Sequence, residues 1–214
     1  AAARKRGAMA GAAGGAAGRA LPFVQVHNPH QRHAAARQLA YSPTLLAAAA
    51  ALLGVAGGLR LYQDSLFWKK PGNDITGWHA DLWTVPIATH HFVTVWLPLH
   101  RVEAGGSPLH YLPQDGDAAS DLSNAPAPGL CGEHHAPLEA GDATWHHGWT
   151  IHGAPPLADG VAERLAYTAS YYSEETPVVG GAFDVLAKGR RSHSSVEVDS
   201  ASAPGLRGRA AGFY

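Results

Sequence analysis

The chain has 214 residues, with 16 Lys and Arg against 17 Asp and Glu and a formal net charge of −1. That length suits one domain, the 46% hydrophobic content excludes a disordered tail or a membrane bundle, and the charge balance argues against a dedicated nucleic-acid binder. One cysteine, Cys131, excludes a secreted disulfide scaffold, while 14 His and six Trp among only 15% charged residues point first to metal chemistry in an aromatic-lined pocket.

Residues 1–20 are low-complexity Ala and Gly with basic punctuation and cannot build a packed core. They are acid-poor like a transit peptide but lack Ser, so they read as a disordered leader. An intracellular, cytoplasmic location is expected, with organelle targeting by this basic segment left open. A start at Ala1 is read as a fragment or a processed form. Ser42 and Pro43 then supply an N-cap and a first-turn proline, and Gly54 a stop, which predicts a helix over 43–53. The apolar run 45–59 around it is too short to span a bilayer. From about residue 60 the texture turns to β. LRLYQDSLFW, HFVTVWLPL and RLAYTASYY alternate with period two and are separated by Gly, Pro, Asn and Asp clusters, which predicts a sandwich or barrel. The expected organisation is a leader over 1–20, a domain over 21–176 and a loosely ordered tail over 177–214.

His79 and Asp81 lie in TGWHADLW. In an extended segment, positions i and i+2 point to one face, so the pair can share one metal ion. One neutral imidazole from GDATWHHGWTIHGAPP would complete a set of two His and one carboxylate. Such a set leaves coordination positions open, as a non-haem Fe(II) oxygenase requires. Spacing alone ranks His147 and His152 equally for the third ligand.

The ordered run LYQDSLFWKKPG, TGWHADLW, FVTVWLPL, GDATWHHGWTIHG and RLAYTASYY resembles the phytanoyl-CoA dioxygenase family of Fe(II)/2-oxoglutarate-dependent oxygenases. The resemblance runs from about Leu59 to Tyr172. It implies a double-stranded β-helix, the mainly β jelly roll shared with cupins, preceded by an N-terminal helical segment. It implies His79, Asp81 and His152 as metal ligands, with His147 the main rival and His146 a structural or surface residue. Arg164, twelve residues past His152, is the implied partner of the distal carboxylate of 2-oxoglutarate. Alternation puts Arg164, Ala166, Thr168 and Ser170 on one face, so Thr168 or Ser170 can assist. Trp96 matches a tryptophan beside the cosubstrate. Gln63, Leu66 and Lys70 are candidate pocket residues, and Gly141-Asp142 reads as a turn.

The implied cofactors are Fe(II), 2-oxoglutarate and O2. The implied reaction is hydroxylation of an unactivated C–H bond of a small organic substrate, with release of succinate and CO2, and with no nucleic-acid or membrane partner. Halogenating relatives lack the carboxylate that Asp81 supplies, so oxygenation is expected. The chain departs from the family pattern at Ala80, where Gln is usual, at Ala154, where Ser is usual, and in a short 113–140 segment. Two other classes fit these residues: a cupin-like metal-binding protein or zinc enzyme that does not use 2-oxoglutarate, and a catalytically silent family member.

Overall fold

The computed structural model describes residues 21–176 except 88, 113–125 and 130, together with the backbone of 195–196 and 211–213. The leader expected over 1–20 lies outside the described residues, as do the tail expected over 177–214, apart from those two short stretches, and half of the 113–140 segment.

In chain order, β1 (Val24–His27) is followed by a 3-10 turn at Pro29–Gln31 and two helices, α1 (Ala34–Ala40) and α2 (Pro43–Leu53). The strands β2 (Leu59–Lys69), β3 (Thr76–His79), β4 (Phe92–Pro98), β5 (His110–Tyr111), β6 (Thr144–His147), β7 (His152–Ala154) and β8 (Arg164–Ser173) form the barrel. Short segments β9 (Ser195–Val196) and β10 (Ala211–Phe213) pair with β2 and β6. Among the described residues, the large sheet has the order β1-β2-β8-β4-β6-β10, with β9 also on β2, and a smaller sheet has the order β3-β7-β5. All pairings but β6–β10 are antiparallel. Two facing antiparallel sheets with a cavity between them make this the double-stranded β-helix expected from the sequence, and the helical segment precedes it.

Helix α2 has the predicted bounds. Gly54 ends it in the left-handed region at φ 64°, where glycine carries no Cβ penalty. Ser42 caps through its carbonyl, which accepts the Leu46 N–H, and makes no side-chain cap bond. Its buried residues Leu46, Ala49 and Leu53 recur at i, i+3 and i+7, one apolar stripe. That stripe packs with Leu59, Leu61, Val93, Val95, Tyr167 and Tyr171 on the outer face of the large sheet. No helix among the described residues is long and apolar enough to cross a membrane.

The inner face of the large sheet is set by register. Across β2, β8, β4 and β6, one row reads Gln63, Ser170, Thr94, His146, and the next reads Ser65, Thr168, Trp96, Thr144. A bulge between Leu61 and Gln63 shifts the alternation of β2, because one extra residue reverses every side chain beyond it. Leu61 therefore packs outward on the helices, whereas Gln63 and Phe67 face the cavity.

Candidate metal and cosubstrate site

The cavity is lined from both sheets. His79 ends β3, and His152 opens the neighbouring β7 as its direct cross-strand partner. Asp81 does not continue the strand, contrary to the extended segment expected there. Ala80 is extended, and Asp81 is the first residue of a 3-10 turn, Asp81–Trp83. The turn is held by the Leu82 N–H on Gly148 O at 3.0 Å. A Cβ on Gly148 would meet Leu82 at 2.7 Å and Phe92 at 2.8 Å, so only glycine lets this turn seat against β6. His79, Asp81 and His152 each offer a ligand atom, all within 4.8 Å of one another.

The partners of these groups orient them. His79 Nδ1–H donates to Gly77 O at 2.9 Å, and His152 Nδ1–H donates to Thr150 O at 3.0 Å. Each bond fixes the tautomer that leaves the Nε2 lone pair free, the arrangement that a backbone carbonyl on Nδ1–H imposes on metal-binding imidazoles. Asp81 Oδ2 accepts the Thr94 hydroxyl at 2.6 Å, and Thr94 Oγ1 lies 2.9 Å from Ser170 Oγ. Oδ1 remains on the side of His152, 3.7 Å from its Nε2. Burial alone would raise the Asp81 pKa, but His146, His152 and Thr94 outweigh it and hold the carboxyl below its ordinary range. Burial, reinforced by His146, pushes His152 down to about 3 against the pull of Asp81. Near neutral pH the site thus presents an ionised carboxylate and a neutral His152. Such a donor set fits a divalent first-row metal and fills only one face of it.

At the other end, Arg164 is buried and its Nε has no hydrogen-bond partner among the described residues. Its guanidinium carbon lies 5.5 Å from the Trp96 ring centroid, and burial lowers its pKa to about 10. Gln63, Trp96, Arg164, Thr168 and Ser170 all line the same cavity as the three candidate ligands. Apolar clusters flank it: Leu82, Ile87, Phe92 and Tyr172 form one, and Trp96, Val102, Leu138 and Ala166 the other.

Other expectations are corrected by the same register. Leu66 and Lys70 do not line the cavity; Lys70 Nζ sits 3.4 Å from the Trp68 ring centroid. His147 pairs with Val93 and points away from the site. Its Nε2–H donates to His90 O at 2.5 Å, and its Nδ1 accepts the Trp149 N–H at 3.2 Å, so neither nitrogen is offered to the cavity. His146, read from sequence as structural or superficial, is buried in the cavity wall with its Nε2 3.3 Å from Asp81 Oδ2. Its ring centroid is 4.2 Å from that of His152, and among the described residues neither nitrogen makes a well-aligned hydrogen bond. Gly141-Asp142 is a turn, with Asp142 N–H on Glu139 O and Glu139 N–H on Asp142 Oδ2.

Fold and cavity define a double-stranded β-helix with a site of two imidazoles and one carboxylate. The sequence model of the family described as Phytanoyl-CoA dioxygenase (PhyH) matches residues 5–159, and the chain belongs to that family. It is an Fe(II)/2-oxoglutarate-dependent dioxygenase that uses O2, in agreement with the motif reading. Several solved structures share the fold. The non-haem α-ketoglutarate-dependent carbocyclase SnoK from nogalamycin biosynthesis is 22% identical with TM-score 0.65, covering 87% of this chain and 77% of that one. The epimerase SnoN in complex with Fe3+, α-ketoglutarate and nogalamycin RO is 23% identical with TM-score 0.59, covering 77% and 69%. EvdO2 from Micromonospora carbonacea var. aurantiaca is 25% identical with TM-score 0.53, covering 74% and 70%. No curated protein sequence matches the chain.

Proposed function

We propose that the chain hydroxylates an unactivated C–H bond of a small organic substrate, with His79, Asp81 and His152 holding Fe(II) and Arg164 anchoring 2-oxoglutarate. The observation that carries this reading is one cavity with three clustered metal-donor atoms and, in the same wall, a buried guanidinium that no acid neutralises among the described residues. Bound iron and 2-oxoglutarate supply the oxidising chemistry, consuming O2 and turning the keto acid into succinate and CO2. The protein's own task is to place them. Arg164 offers a planar fork to the distal carboxylate. Trp96 and Thr168, cross-strand partners on β4 and β8, stand beside it, and Gln63 lies in the adjoining row. Thr94 keeps Asp81 Oδ2 occupied, so Oδ1 is the oxygen offered to the metal.

Arg164 lies beyond the residues that the family match covers, so its role rests on register and burial. A second outcome of the same site is favoured by the neighbours named carbocyclase and epimerase: a C–H bond is broken but no oxygen is retained in the product. Anaerobic titration with Fe(II) followed by 2-oxoglutarate, then a substrate screen for stimulated succinate release, tests the reading. His79→Ala should abolish Fe(II) binding, and unchanged iron affinity would overturn the ligand assignment. A product with one added oxygen supports hydroxylation, whereas a product of unchanged oxygen content replaces it with ring closure or epimerisation.

A further inference from the structure

Among the described residues, Lys69 and Arg164 are the only Lys or Arg side chains that are buried. They are direct cross-strand partners on β2 and β8. Like charges placed opposite one another repel, and an unpaired buried charge is costly. Among the described residues neither forms an ion pair with a carboxylate. Burial and Arg164 both disfavour the charge of Lys69 more strongly than Asp74 favours it. A fold that keeps two such cations together is arranged for an anion that completes them.

The contacts of Lys69 show how its charge reaches the cavity. Its Nζ donates to Pro155 O at 2.7 Å and lies 3.5 Å from Thr76 Oγ1. Thr76 lines the cavity together with Arg164. An ammonium only donates, so Thr76 Oγ1 accepts from it and keeps its own O–H for a group in the cavity. A hydroxyl that accepts from a cation is in turn a stronger donor.

We propose that Lys69 is a positioning residue for the distal carboxylate of 2-oxoglutarate, acting beside Arg164 through the Thr76 hydroxyl. The proposal rests on the reading that Arg164 binds that carboxylate. Lys69 thereby adds selectivity for a keto acid that ends in a carboxylate, over one that ends in a methyl group. Its bond to Pro155 O, just after the strand that carries His152, offers a purely structural role as the competing account.

The test compares 2-oxoglutarate with 2-oxopentanoate, which carries a methyl group in place of the distal carboxylate, in anaerobic titrations of the Fe(II)-loaded protein. Lys69→Met should weaken 2-oxoglutarate binding by about tenfold or more, the scale of a hydrogen bond to a charged group. Affinity for 2-oxopentanoate and for Fe(II) should stay within about twofold of the unmodified protein. Thr76→Val should reproduce the selective loss, and it carries the test if Lys69→Met does not fold. Equal weakening of both keto acids, loss of Fe(II) affinity, or unchanged 2-oxoglutarate affinity would each overturn the proposal. Arg164→Met, titrated in parallel, separates the two failures. If it alone loses the discrimination, only the role of Lys69 falls. If it too leaves discrimination unchanged, the anchor reading itself falls.

Discussion

Lys69 and Lys70 are adjacent, yet the alternation of β2 turns Lys69 into the interior and leaves Lys70 on the Trp68 ring. His146 and His147 divide in the same way, because β6 pairs His146 with Thr94 on the cavity side and His147 with Val93 on the other. Motif spacing made the His79 and Asp81 pair legible, the family resemblance set His152 above His147, and alternation within RLAYTASYY put Arg164, Thr168 and Ser170 on one face. None of these could choose between adjacent residues, because that choice depends on which partner strand sets the register. Thr94 was invisible for a related reason: it matters only as the group that holds Asp81 Oδ2. Thr94→Val removes that donor at nearly constant volume, and metal affinity should fall about 10- to 100-fold, the usual cost of an outer-sphere partner. Calorimetric titration with Fe(II) or Co(II) reads it; unchanged affinity would show that Asp81 needs no holding. Lys69 adds a pH signature. Its pKa is lowered from 10.5 to about 7 by burial and by Arg164, with Asp74 opposing. Between those values the unfolded chain binds more protons than the native one, so stability rises with pH above about 7. Tyr167 and Tyr171, whose pKa values burial and Asp64 raise, act in the opposite direction above about 10. Denaturant unfolding of metal-free protein at about pH 7, 8 and 9 should show the rise, and Lys69→Met should flatten it.

At the level of elements, the site depends on how closely two short strands and one turn approach. β7 has three residues, and His152 and His79 meet only because Gly153 lets it lie flat against β3. A Cβ there would sit 2.7 Å from Thr76 O and 2.6 Å from Pro128 Cγ, and the first of these is backbone that cannot swing aside. The glycine after the distal histidine therefore has a packing reason as well as a motif reason. Gly153→Ala should push β7 off β3, cost about 1–3 kcal/mol of stability and weaken metal binding through His152 without touching a ligand. Thermal unfolding with and without metal checks both parts. A variant that binds Fe(II) normally would mean the sheets tolerate the shift. The long strands and α2 were legible because each carries enough residues for its period to show. β1 and α1 were not. β1 is four residues with little burial, and α1 offers seven residues with only Ala40 buried, too few for a periodic signal. The bulge at Leu61–Gln63 was also unreadable, since it exists only as a mismatch with β8.

Across the whole molecule the large sheet separates two environments. Its outer face joins the helices in one apolar cluster, and its inner face carries the polar rows of the cavity. Asp64, wholly buried and adjacent to Gln63, belongs to the outer side and fastens the N-terminal segment there. It accepts His30 Nδ1–H at 2.5 Å, His30 N–H at 3.1 Å and the Tyr167 hydroxyl at 2.8 Å. Tyr171 supports the same attachment by donating to Ala40 O at 2.7 Å. Removing the carboxylate leaves the buried Tyr167 hydroxyl and the His30 turn without their acceptor, and a buried polar group left unsatisfied costs about 1–3 kcal/mol. Asp64→Ala should accordingly lower the unfolding free energy at pH 7 by about that much, read as a lower denaturant midpoint. The proposed metal site lies across the sheet, and its three candidate ligands share no hydrogen bond with Asp64 among the described residues. Below the new midpoint, Fe(II) affinity should therefore match that of the unmodified protein. A variant that keeps its midpoint would show that the helices are held by the apolar cluster alone. A folded variant with weakened iron binding would show instead that the outer attachment reaches through β2 to the cavity, making the N-terminal segment part of the site.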